Sequence, residues 1–101
     1  MLGEKLRELR EAKGLLQRQV AAELEVDTAY VSKMENDEKP VSRAYLKKLS
    51  ILLNIAEEEL VTLWLADKMC AILKDEDVAI KAIHITGDYV LKAKSIKRKN
   101  H

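Results

Sequence analysis

The chain has 101 residues, a formal net charge of +1 and 48% hydrophobic side chains, enough to bury one modest core and too many for a wholly disordered chain. Leu, Ala, Lys and Glu dominate, aromatics stop at 4%, and there are three Gly, one Pro and no Phe, a composition that favours helices over a sandwich or barrel and predicts an all-α class. Near-zero charge excludes bulk electrostatic attraction as a source of nucleic-acid affinity, so any such affinity must come from how charge is placed.

In LGEKLRELREAKG the residues Leu2, Leu6 and Leu9 recur at helical spacing and Gly14 stops the helix. Its outer face carries Glu4, Lys5, Arg7, Glu8 and Glu11, opposite charges three and four residues apart that support a solvated surface. Arg10 stands apart from them. A second helix is expected from Gln17 to Leu24, with Val20, Ala21 and Leu24 on one face. After Val26, Asp27 can cap a third helix over 28–36, in which Val31 and Met34 continue the buried pattern. Two short helices around a tight turn form a helix-turn-helix. Burying Val31 and Met34 leaves Thr28, Ala29, Tyr30, Ser32 and Lys33 facing outward, a row of small and polar side chains that fits a major groove. With that helix in the groove, the amino end of the second helix points at a phosphate, and the Gln17 amide is a further donor there.

NDEKPV then forms a loop in which Pro40 forbids helix continuation, and Ser42 is placed to cap a fourth helix, SRAYLKKLSILL. Its buried stripe is Tyr45 or Leu46, with Leu49, Leu52 and Leu53. Lys39, Arg43 and Lys47 cluster near the loop, where they either reach a DNA backbone or form a solvated face; Asn36, Lys39 and Arg43 join Gln17 as candidate phosphate contacts. EEELVTLWLADKMCAILK opens on three acids suited to a helix amino end. Apolar residues cover most of its circumference, more than one side of a small bundle can bury, so a second copy of the chain is the expected cover. Trp64, Leu65, Met69 and Ile72 are the candidate dimer contacts. In VAIKAIHITGDYVLKAK, Ile80, Ile83, Gly87 and Val90 share a helical face, although IHITGDYVL also alternates around Gly-Asp like a hairpin. The Ala and Lys surroundings favour helix. The basic tail KAKSIKRKNH is expected to fray.

RELREAKG, QRQVAAELEV, YVSKMEN and LSILLNI together resemble the helix-turn-helix domain of the Cro and phage-repressor type, the XRE family, over about residues 3–60. The resemblance implies a compact bundle of five helices, dimeric binding to a palindromic operator, and an ion pair between Arg10 and Glu35. It puts Gln17 on the family's phosphate-binding glutamine, and Thr28, Ala29, Ser32 and Lys33 on its base-facing positions. Two departures stand out: Leu16 replaces the commoner Ser or Thr cap, and Glu25 replaces a glycine common in the turn, where the left-handed conformation costs about 1 kcal/mol.

The expected organisation is a DNA-binding domain over 1–60 and a helical dimerisation extension with a basic tail over 61–101. Function is then that of a homodimeric transcriptional regulator on double-stranded DNA, an autoregulating repressor or a restriction-modification controller. A protein-interaction module of antitoxin or coactivator type, holding a partner such as a toxin, is the alternative, favoured by near-zero charge and by acids at Glu25, Asp27, Asp37 and Glu38. No nucleophile-base pair or glycine-rich phosphate loop suggests an enzyme. Cys70 is the single cysteine and His84 and His101 the only histidines, so neither a disulfide nor a metal site is expected, nor any cofactor. The apolar run from Leu60 to Leu73 is too short and too interrupted to span a bilayer, and Met1 leads straight into a charged helix, so a cytoplasmic location is expected.

Overall fold

The computed structural model describes residues 1–99, with side chains through residue 96. Within them lie six α-helices and no strand: α1 Leu2–Ala12, α2 Gln17–Leu24, α3 Thr28–Glu35, α4 Leu46–Leu53, α5 Glu57–Leu73 and α6 Ala79–Lys99. The all-α expectation holds. The chain divides into two units, Met1–Met69 and the segment from Cys70 onward. The first unit reaches Met69, inside α5, whereas the sequence expectation divides the chain at residue 60.

In the first unit, five helices close over one apolar core. Leu2 and Leu6 of α1, Val20, Ala21 and Leu24 of α2, Val31 and Met34 of α3, Leu46, Leu49 and Leu53 of α4 and Leu60 of α5 are all buried. These are the positions that three- and four-residue spacing selects, because short helices with one apolar face can satisfy it only against each other. Gly3 makes the α1–α3 approach possible: a Cβ there would collide with the Met34 carbonyl oxygen and the Asp37 carboxylate. Asp67 of α5 supplies the missing cap of α1, its Oδ2 accepting the Leu2 N–H at 2.9 Å, which satisfies one of the orphan donors at that helix end.

Helix four begins later than its sequence suggests. Arg43–Tyr45 form a 3-10 turn, α4 starts at Leu46, and the Ser42 side chain makes no capping hydrogen bond. Just past helices α2, α3 and α4 the chain takes the left-handed conformation at a non-glycine residue, at Glu25 (φ 58°), Asp37 (φ 58°) and Asn54 (φ 54°). In each case backbone N–H groups past the helix reach back to its last carbonyls, as in Glu38 N–H to Lys33 O at 2.9 Å.

In the second unit, the stretch 78–95 is no hairpin: it is helical from Ala79 onward. α6 continues through Lys99, so most of the tail expected to fray is helix; residues 100 and 101 lie outside the described residues. No described side chain of α6 is buried, and Ile80, Ile85, Tyr89 and Leu91 are all exposed.

Candidate nucleic-acid interface

The angle between α2 and α3 is set by three consecutive residues. Glu25 turns left-handed, Val26 N–H bonds back to Ala21 O at 3.0 Å, and Asp27 Oδ1 accepts the Tyr30 N–H at 2.8 Å as the cap of α3. At the α2 amino end, Leu16 cannot accept a capping bond, but the Gln19 side chain accepts the Leu16 N–H at 2.8 Å. The free first N–H groups of α2 still point outward, beside the exposed cation of Arg18, which no helical periodicity singles out.

Arg10 and Glu35 form the expected pair, and it is forked: Arg10 Nε donates to Glu35 Oε2 at 2.7 Å and Nη2 to Oε1 at 3.1 Å. Nη1 donates to Leu15 O at 2.8 Å, so the guanidinium also holds the α1–α2 loop. Their side chains are only 11% and 4% exposed. Hydrogen bonding to Glu35 raises the Arg10 pKa above its ordinary value, against the opposing effect of burial. Gln17 joins this network: its Nε2 donates to Glu35 Oε1 at 3.0 Å. The Gln17 amide is thus not the free donor expected at a phosphate; one of its protons is committed to fixing the end of α3, and only the other remains for an anion.

Thr28, Ala29 and Lys33 on α3 are exposed and Ser32 is half-exposed, all beside one another. Tyr30 departs from the expected outward row. Its ring is half-buried, meets Tyr45 edge-on at 6.1 Å between centroids, and its hydroxyl donates to Pro40 O at 3.4 Å. Asn36, Lys39 and Arg43 are exposed around the following loop. Of the acids nearby, Asp27 is spent on the cap of α3.

Trp64 also departs from expectation. Its indole Nε1 donates to Val41 O at 2.7 Å and its ring packs on the core, so it is tied to its own chain rather than offered to a partner. Leu65 (45% exposed), Met69 (43%) and Ile72 (77%) do remain open. Among the described residues, no group of three or more His, Cys, Asp or Glu could hold a metal ion, and no helix is long and apolar enough to cross a membrane.

The helix-turn-helix family model matches residues 6–60, more than half of the chain. The chain belongs to this family, in its Cro and phage-repressor (XRE) branch, and is a DNA-binding regulator of transcription. Among solved structures it is similar to the restriction-modification controller protein C.AhdI from Aeromonas hydrophila, with 41% identity over 58% of this chain and 89% of that one and a TM-score of 0.53. It also shares the fold of a SinR protein/SinI protein complex, with 23% identity over 94% of this chain and 99% of that one and a TM-score of 0.54. No curated protein matches it significantly.

Proposed function

We propose that the protein acts as a homodimer on a palindromic operator, reading bases with Thr28, Ala29, Ser32 and Lys33 of α3 and anchoring on phosphates with the amino end of α2, Gln17, Asn36, Lys39 and Arg43. The observation that supports this most is the forked Arg10–Glu35 pair with Gln17 attached. It fixes the far end of α3 from inside, so the outward side chains are presented on a rigid element without themselves bearing load. Regulation of its own gene or of a restriction-modification system fits the likeness to C.AhdI, and repression would follow from excluding polymerase from the promoter. The exposed apolar side chains Leu65, Met69 and Ile72, four and three residues apart on α5, suit a helix packing against its symmetry mate. A two-fold axis there sets the two α3 helices about 34 Å apart, one turn of the duplex.

A second reading has a different protein, such as a toxin, on the apolar C-terminal helices. The unburied length of α6 favours it. Neither reading involves enzymatic chemistry or a cofactor.

The test is titration of the chain against duplex DNA from immediately upstream of its gene and against a scrambled duplex, over a range of salt. Lys33→Ala is expected to cost about 1 to 3 kcal/mol on the upstream duplex and to relax its preference there. Equal losses on both duplexes would remove Lys33 from base reading, and equal wild-type affinity for both would remove the operator.

A further inference from the structure

Tyr30 and Trp64 seize successive carbonyls of the loop after α3. The Tyr30 hydroxyl donates to Pro40 O at 3.4 Å from α3, and Trp64 Nε1 donates to Val41 O at 2.7 Å from α5. Val41 itself is buried. The segment is therefore tied to α3 on one side and to α5 on the other, and Arg43, two residues on, starts from a fixed place. Its guanidinium carbon lies 5.4 Å from the centroid of the Trp64 ring. The ammonium of Lys68, one turn further along α5, lies 4.9 Å from the same centroid. The two cations are thus no further apart than the sum of those distances.

Like charges on long flexible side chains ordinarily spread apart. Here one indole ring attracts both. Among the described residues neither Arg43 nor Lys68 is paired with a carboxylate. The acid next to Lys68 in the chain, Asp67, is turned away to cap α1. A pair of exposed cations, gathered and restrained but not neutralised, has what a phosphate needs: charge, several donors, and little freedom left to lose when it is gripped.

We propose that Arg43 and Lys68, held over Trp64, form a two-cation grip on a backbone phosphate of duplex DNA beside α3, so that α5 binds DNA directly. The proposal rests on the DNA-binding reading above and adds Lys68 and Trp64 to the interface. Trp64 is a positioning residue: its indole bond places the loop and its ring collects the cations. The grip is indifferent to base sequence, so it contributes the same to every duplex.

The experiment is titration of a fluorescein-labelled, mixed-sequence duplex with the full chain, across a salt series, for wild type, Lys68→Gln, Arg43→Gln and the double variant. The double substitution, which removes the whole phosphate contact, is expected to reduce the steepness of log affinity against log salt by about 0.9, roughly an eightfold loss at ~0.1 M salt, and each single substitution by part of that. Thermal melting of Lys68→Gln should match wild type, because Lys68 is exposed and the Trp64–Val41 bond is left intact. Since Trp64 is the single tryptophan, its emission should change when duplex is added, and less so in Lys68→Gln. Unchanged affinity and slope in Lys68→Gln, with wild type binding normally, would overturn the grip and leave the DNA-binding reading standing. A loss of affinity without a change of slope would overturn it too, since no phosphate contact was then removed. Failure of wild type to bind any duplex would bring down both.

Discussion

The two units spend their apolar residues in opposite ways. In the first, Leu46 and Leu60 have no exposed surface and every helix contributes to one core. In the second, α6 carries Ile80, Ile85, Tyr89, Leu91 and Ile96 with most of each side chain in water. Both segments are rich in aliphatic residues, so composition alone does not separate them; what differs is whether neighbouring helices bring complementary faces. The lesson is that a helical apolar pattern marks a surface that needs cover, and in the first unit the helices supply that cover to each other.

The widest gap between the units should appear in their cores. Leu60→Ala is expected to destabilise the first unit by about 2 to 5 kcal/mol, through lost transfer energy plus a cavity. Leu91→Ala on α6, studied at concentrations where the protein is monomeric, should stay within about 0.5 kcal/mol, as exposed substitutions do. Urea melts of both variants check this, and a large effect of Leu91→Ala in the monomer would show that α6 has a cover within its own chain.

Arg10→Met tests whether the first unit is held by polar as well as apolar contacts. It leaves Glu35 buried with only Gln17 as a partner, and is expected to cost on the order of 3 kcal/mol. Adding Glu35→Leu should recover much of that, because the stranded charge is gone. Small, additive losses in urea melts would mark the pair as a surface contact.

How much of this was legible in the residues differs by kind of interaction. Spacing exposed the core of α1 to α4 and the outward face of α3, because short amphipathic helices have one way to bury their stripes. The bonds that Tyr30, Gln17 and Trp64 make are not legible for one reason: each has a polar atom on an apolar or half-buried body, and its partner is far away in sequence. Gln17 meets Glu35 across 18 positions, and Trp64 meets Val41 across 23. Periodicity reports which face is apolar, not which distant carbonyl takes a lone N–H. Ser42 makes no cap because the chain forms a 3-10 turn before α4.

Glu25 gives the smallest expected effect. Its left-handed conformation (φ 58°) carries a Cβ penalty that glycine avoids. Glu25→Gly is expected to raise stability by up to about 1 kcal/mol, less the entropy glycine adds to the unfolded chain. A thermal melt suffices, and a clear destabilisation would mean that the Glu25 side chain makes contacts worth more than its strain.

The proposal that a second copy of the chain covers the open apolar residues of α5 is tested most directly by Ile72→Asp, with sedimentation equilibrium and a duplex titration on the same preparation. Wild type is expected to sediment as a dimer. The variant, with an unpaired charge on the open face of α5, should sediment as a monomer whose first unit melts normally, and its affinity for the upstream duplex should fall steeply and become concentration-dependent. A variant that remains dimeric and binds like wild type would contradict the assignment of this face to the dimer.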